Sequence, residues 1–242
     1  MNKKMDFLKK YLIAHRGMHN INKGIPENSI KAFKEAIKNN YIIELDLHIL
    51  KDKSVVVFHD DNLKRMTGID KRLIDTTYNE IRQLKLQNTD NYIPLFKEVL
   101  EVVKGKVPII IELKYDNKVG KLENETIKFL KGYKGEYVIK SFNPFSVLWL
   151  KKNYPQIIRG QLASKFSDEK NIIKRIVLRN MWFNFITKPD FISYDINGFP
   201  SKRVEKYRNK KIILGWTIKD KEQMEKAKKY CDNFICENME EL

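Results

Sequence analysis

The sequence predicts a (β/α)8 barrel, an α/β fold, with a small insertion after a β-hairpin that follows the second strand. Three observations predict it. Eight short apolar runs, near residues 12, 43, 110, 138, 159, 192, 214 and 235, recur along 242 residues, most of them separated by segments of helical period. The run Pro108-Ile109-Ile110-Ile111 lacks any apolar–polar alternation, as expected of a strand buried on both faces of a parallel sheet. No glycine-rich first turn is present, which argues against an open doubly wound sheet. With no repeat, low-complexity tract or linker, residues 1–242 are expected to form one domain.

The elements follow in order. Tyr11-Leu12-Ile13-Ala14 reads as a buried strand that delivers His15-Arg16-Gly17 at its tip. Pro26-Glu27-Asn28-Ser29 is a polar start for a helix with Ile30, Ala32, Phe33, Ala36 and Ile37 on its apolar face. In the strand Ile43-Glu44-Leu45-Asp46-Leu47-His48 the two carboxylates are two residues apart and leave the same face. A turn over Lys51–Ser54 returns the chain through Val55–Phe58 and sets His59 roughly opposite Asp46. Residues 60–93, with a short helical patch near 78–86, are too long for an ordinary connection and are expected to cover one end of the fold. A helix over 95–103 leads to the strand ending in Glu112-Leu113-Lys114. Helices over about 119–131, 144–153, 169–181, 201–208 and 220–229 then alternate with strands at Tyr137–Ser141, Ile157–Leu162, Phe191–Tyr194, Ile212–Trp216 and Phe234–Cys236.

The net charge of +16 favours anionic partners: phosphate esters, nucleic acid, anionic membrane surface or phosphate polymers. Lys and Arg are scattered, however, so a solvated basic surface is the simpler reading, and no nucleic-acid motif accompanies the charge. Cys231 and Cys236 match neither a zinc ribbon nor a redox pair and are read as reduced. The basic start Met1–Lys10 has no signal-peptide core, and no run reaches the ~20 apolar residues of a membrane span, so a cytoplasmic location is expected.

Active sites of parallel barrels form at the C-terminal strand ends. There the sequence places His15, Arg16, Glu44, Asp46, Glu112, Lys114, Ser141, Asp195 and Trp216. Three carboxylates without clustered imidazole or thiolate point to a hard divalent cation, Mg2+ or Ca2+. Arg16 and Lys114 suit a phosphate, and His15 and His59 suit proton transfer at neutral pH. His48 shares the carboxylate face but is assigned to the hairpin over the ligand set. Asp60 either orients His59 or caps the hairpin, and Trp216 either fills the barrel or meets substrate. Met181-Trp182-Phe183-Asn184-Phe185 reads as core, with an apolar entrance as the alternative.

His15-Arg16-Gly17, Pro26-Glu27-Asn28-Ser29, Glu44-Leu45-Asp46, His59-Asp60, Thr67-Gly68, Glu112-Leu113-Lys114, Ser141-Phe142 and Trp216-Thr217 stand in the order and approximate spacing of the glycerophosphodiester phosphodiesterases, which the chain resembles from Leu12 to Glu237. The resemblance implies a barrel with an insertion after His59. It also implies hydrolysis of a small-molecule glycerophosphodiester to sn-glycerol 3-phosphate and an alcohol. Glu44, Asp46 and Glu112 become ligands of one divalent cation, Mg2+ or Ca2+ with Mn2+ admitted. His15 and His59 become acid and base, and Arg16 and Lys114 hold the phosphate, with Trp216 as a further substrate contact. Attack by the substrate's own 2-hydroxyl through a cyclic phosphate is the expected course. A role in lipid or glycerol metabolism follows, and peripheral contact with anionic membrane stays open. Two departures stand out: Lys51-Asp52-Lys53 replaces the usual Asp-Gly turn, and Ile235-Cys236-Glu237-Asn238-Met239 replaces Thr-Asp-x-Pro. The rival readings are a lysophospholipase D or sphingomyelinase D type of lipid phosphodiesterase, and a non-catalytic anion- or membrane-surface-binding module.

Overall fold

The computed structural model describes residues 5–114, 118–167 and 169–240. Met1–Lys4 of the basic start therefore lie outside the described residues. The strands are β1 (Ile13–Ala14), β2 (Ile42–Ile49), β3 (Val55–Val57), β4 (Ile109–Leu113), β5 (Tyr137–Ser141), β6 (Arg159–Ala163), β7 (Phe191–Asp195), β8 (Ile212–Ile218) and β9 (Asn233–Cys236). Their sheet order is β1-β9-β8-β7-β6-β5-β4-β2-β3, with a further β1–β2 pairing. This is the order of the expected (β/α)8 barrel, with β3 as an extra strand. The chain divides into two compact units, Ala14–Tyr137 and Met1–Ile13 with Val138–Leu242.

In the unit Ala14–Tyr137, β2 is buried along its whole length. It pairs parallel with β4, and antiparallel with β3 in a register that sets Leu47 against Val57. Phe58, one residue before His59, donates its backbone N–H to the Asp46 carbonyl (3.0 Å), so His59 lies one step further along than expected. The hairpin turn keeps its shape without glycine: Lys53 takes a left-handed φ of 69°. Asp52 Oδ1 accepts from Ser54 N (3.0 Å) and Oδ2 from Tyr78 N (2.9 Å), which ties the turn to the insertion. Helix α2 (Ile30–Lys38) starts at Ser29, whose hydroxyl accepts from Ala32 N and donates to the Pro26 carbonyl. Helices α5 (Phe96–Val103) and α6 (Lys121–Leu130) follow the expected spans to within two residues.

The 60–93 segment is a compact cap and not an open loop. It holds two single-turn helices, α3 (Lys64–Thr67) and α4 (Tyr78–Ile81). Leu63, Met66, Leu73, Ile81, Leu86 and Ile93 form one buried cluster with Leu50, Val56 and Phe58 of the hairpin. That apolar cluster stabilises a fixed position for the cap.

In the second unit β5 to β9 form a continuous parallel ladder. The side-chain amide of Asn233 on β9 donates to the Leu8 and Tyr11 carbonyls and so fixes α1 (Phe7–Lys10). Tyr11 and Leu12 are half-exposed, so the buried first strand shrinks to Ile13–Ala14. The helices are α7 (Pro144–Asn153), α8 (Ile172–Arg179), α9 (Asn184–Thr187), α10 (Lys202–Glu205) and α11 (Lys221–Tyr230). The expected helix over 201–208 is the single turn α10. Of the aromatic cluster only Met181 and Asn184 are buried, while Trp182 and Phe185 face solvent, which corrects the core reading.

Candidate active site

Strands β2 and β4 run parallel with Asp46 in register with Glu112, and Glu44 lies two residues earlier on the same β2 face. One oxygen from each of these three buried carboxylates lies within 4.8 Å of the others. Collecting three carboxylates away from water is costly unless cations and N–H donors face them. Several do. Lys114 Nζ bridges Asp46 Oδ1 (3.0 Å) and Glu112 Oε1 (2.8 Å). Asn28 Nδ2 donates to Asp46 Oδ2 (2.9 Å), and the Arg16 backbone N–H donates to Glu44 Oε2 (3.1 Å). Arg16 Nε stands 3.6 Å from Asp46 Oδ2, and His15 Nε2 stands 4.0 Å from Glu44 Oε2.

The charges set the ionisation states. Burial pushes the Asp46 carboxyl up, but Lys114, His59, Arg16 and His15 outweigh it and hold the group far below the usual carboxylate range. Burial likewise opposes the Lys114 charge, which Asp46 and Glu112 overcome, so its ammonium is held above the ordinary lysine value. Arg16 behaves the same way, with Asp46, Glu27 and Glu44 as its counter-charges.

The donor set fits a hard divalent cation. It offers carboxylate oxygens with no thiolate or imidazole in the cluster. Beside it, the buried Asn28 Oδ1 has no hydrogen-bond partner among the described residues, a further uncommitted oxygen next to Asp46. Such an ion would be held by Glu44, Asp46 and Glu112.

Local backbone explains how Arg16 and Asn28 reach these oxygens. Arg16 (φ 54°), Gly17 (φ 78°) and Asn28 (φ 53°) are all left-handed. A Cβ at Gly17 would come within 2.9 Å of Ala32 Cβ and the Phe33 ring, so only glycine lets this turn lie against α2. Gly17 N–H donates to the Glu44 carbonyl, and Asn28 N–H to the Arg16 carbonyl. The two turns thus brace each other on β2.

His59 belongs to a second, linked network. Its Nδ1 meets Asp60 Oδ1 at 2.6 Å. Arg65 of the cap donates to Asp60 through Nε (2.6 Å) and NH2 (3.0 Å), and to Glu27 through NH1 (3.0 Å) and NH2 (2.7 Å). Glu27 in turn accepts from Arg16 NH1 (2.8 Å). Burial raises the Asp60 carboxyl, but His59 and Arg65 hold it well below its ordinary value, and Glu27 is lowered by Arg65 and Arg16 against the same opposition. Arg65 is correspondingly held in its charged form, above its usual value, by hydrogen bonds to Glu27 and Asp60. His48 lies outside the acidic cluster: its Nε2 donates to the His59 carbonyl (3.2 Å), and burial lowers its pKa. That is the expected hairpin role.

Arg16, Glu44, Asp46, Glu112 and Lys114 therefore come together, with His15 at Glu44 and His59 joined through Asp60, Arg65 and Glu27. Trp216 is on β8, in the other unit. Its ring sits edge-on to Phe142 (5.6 Å, 87°), and its buried indole N–H has no partner among the described residues. Three contributors escaped the sequence reading. Glu27 and Asn28 stand there as a helix start and within a family motif but with no site role, and Arg65 lies in the cap just before Thr67-Gly68 with no role assigned.

Comparison with known proteins decides the family. The glycerophosphoryl diester phosphodiesterase family model matches residues 15–238. The chain belongs to that family. A glycerophosphodiester phosphodiesterase from Caldanaerobacter subterraneus is 30% identical over 255 residues, covering 97% of both proteins. Human lysophospholipase D GDPD1 is 38% identical over 149 residues, covering 56% of this chain and 45% of that protein, so the chain spans about half the length of this relative. Among solved structures, an Oleispira antarctica phosphodiesterase in complex with its product sn-glycerol-3-phosphate superposes with a TM-score of 0.77 at 23% identity, covering 93% of this chain and 92% of that one. That likeness speaks for the fold. Among the described residues, no helix is long and apolar enough to cross a membrane.

Proposed function

We propose that this chain hydrolyses glycerophosphodiesters to sn-glycerol 3-phosphate and an alcohol, with one divalent cation and histidine acid–base catalysis. The observation that carries the reading is the buried triad Glu44, Asp46 and Glu112, with Lys114 and Arg16 on the same oxygens, in a chain of this family. Mg2+ or Ca2+ held by the triad would supply charge neutralisation at the phosphoryl oxygens.

The chain's own groups do the rest. Arg16 and Lys114 place two positive charges where the diester anion would bind, and they favour the charge that builds on its oxygens. Asp60 accepts from His59 Nδ1–H, which leaves Nε2 as the basic nitrogen. His59 Nε2 takes the proton of the substrate's 2-hydroxyl as that oxygen bonds to phosphorus. The bond from phosphorus to the head-group oxygen breaks, and His15 protonates the departing alkoxide. Water then opens the cyclic phosphate with the two histidines in reversed roles. The internal nucleophile has the advantage of proximity. Trp216, through its unpartnered indole N–H, is proposed as a substrate contact. A cytoplasmic role in lipid or glycerol metabolism fits the same reading.

The 38% identity to human lysophospholipase D GDPD1 favours a second reading, in which the substrate keeps one acyl chain. Phosphorus NMR of reactions with glycerophosphocholine and with lysophosphatidylcholine separates them. The first reading predicts glycerol 3-phosphate from the former at the higher kcat/KM. Preferential formation of lysophosphatidate would replace it with the second, and no product from either would overturn both.

A further inference from the structure

Helix α8 is amphipathic in sequence, yet none of its residues is buried. An amphipathic helix of a globular domain normally turns its apolar face to the core. Here Ile172, Ile173 and Ile176 face solvent, and the neighbouring Trp182, Phe185 and Ile186 do the same. Phe185 is 85% exposed and Ile173 76%, more than isolated surface residues need be. The segment is nonetheless anchored. Met181 is buried in the core of its unit, Arg203 Nε donates to Asn180 Oδ1 at the end of α8 (2.6 Å), and Lys151 donates to the Ile186 carbonyl. The apolar side chains are therefore presented from a fixed base.

Charge identifies what would cover them. From Lys170 to Lys188 the sequence holds Lys170, Lys174, Arg175, Arg179 and Lys188 and no Asp or Glu. Glu169, just before this run, pairs with Lys174 Nζ (2.6 Å), so Lys170, Arg175, Arg179 and Lys188 carry the attraction to anions. We propose that α8 and α9 form a docking surface for an anionic lipid bilayer, in which the Ile, Trp and Phe side chains enter the interface and the surrounding cations meet headgroup phosphates. Apolar burial combined with attraction to anionic lipid is what holds an interfacial helix. A second copy of the chain is the poorer occupant, because a two-fold contact would set these like charges against each other. The surface lies within the second unit and is independent of the proposed reaction.

The full chain is sedimented with vesicles of phosphatidylcholine alone and of phosphatidylcholine mixed with phosphatidylglycerol, at low and high salt. The parent protein is expected to bind the anionic vesicles and to be released by salt, with a blue-shifted tryptophan emission that Trp182→Phe removes. Arg175→Gln/Arg179→Gln is expected to weaken binding by about fivefold per charge. Ile173→Ser/Phe185→Ser is expected to weaken it about tenfold or more, with turnover of soluble glycerophosphocholine unchanged. These side chains are exposed, so folding is expected to survive, and circular dichroism checks it. Three results would overturn the proposal: no binding of the folded parent to anionic vesicles at low salt, equal binding by Ile173→Ser/Phe185→Ser, or a dimer dissolved by that variant in a protein that ignores vesicles.

Discussion

Replacing Arg65 by Ala removes the clamp between the two site networks while leaving every proposed reacting group in place. Arg65 makes four hydrogen bonds, two to Glu27 and two to Asp60. After the change Glu27 keeps its contact with Arg16, and Asp60 keeps its contact with His59. A charge-assisted bond contributes roughly 1.5–3 kcal/mol where water is excluded. The Arg65 side chain is 45% exposed, so screening brings the whole clamp down to about 1–2 kcal/mol. Spent on holding Asp60–His59 and Glu27–Arg16, that corresponds to a loss of about 5–30-fold in kcat/KM. The loss should fall mainly on kcat, since His59 is the group left less well oriented. Arg65→Lys can serve only one carboxylate and should recover part of it. The assay is steady-state release of glycerol 3-phosphate from glycerophosphocholine, beside thermal melts of each variant. Activity of Arg65→Ala within about twofold of the parent would refute the reasoning. So would a loss accounted for entirely by unfolding at the assay temperature.

Further outcomes follow from the same geometry. Glu27 and Asp60 have depressed folded-state values, so their contribution is complete above the ordinary carboxylate range of about 4 and is lost as pH falls through the lower folded values. Urea unfolding should therefore show a shallower acid slope in Arg65→Ala than in the parent, and equal slopes would contradict this. Asn28→Ala should lose about 2–4 kcal/mol of stability, from the bond to buried Asp46 and the left-handed backbone, whereas Asn28→Gly should lose only the part due to the side chain. A Cβ at Gly160 would lie 2.3 Å from the Phe191 ring, so Gly160→Ala should destabilise by about 1–3 kcal/mol, and an unchanged melting temperature would show that β6 and β7 relax freely. Burial pushes the thiols of Cys231 and Cys236 up to about 12, so both should alkylate far more slowly at mild alkaline pH in the folded protein than after denaturation.

The strands and the acidic triad were legible because their signals are local. Glu44 and Asp46 stand two apart in an apolar run, so strand geometry points both to one face, and Glu112 ends a second run with no alternation, which places it at the same end of a parallel barrel. Register between β2 and β4, which sets Asp46 beside Glu112, is not legible in the sequence, because parallel orientation leaves several registers open. The cap was seen as too long for a connection, yet its packing was not visible, because its apolar residues pack on the hairpin through spacings of no single period. Arg65 was missed for the same reason: its partners are Asp60, five residues away, and Glu27, thirty-eight away. Asn28 belongs to a stretch legible as a helix start and as a family motif, but its bond to Asp46 spans eighteen residues, which no local pattern marks. The solvent-facing α8 went against its own pattern, since periodicity marks an apolar face without saying what covers it.

The most direct test is turnover of glycerophosphocholine after removal of metal by EDTA, and after return of Mg2+ or Ca2+, in the parent, Glu112→Gln and His59→Ala. The account predicts that chelation abolishes glycerol 3-phosphate release, that one of these ions restores it in the parent, and that neither restores it in His59→Ala, while Glu112→Gln binds the ion more weakly by calorimetry. Full activity in EDTA, or parental activity in His59→Ala, would contradict it.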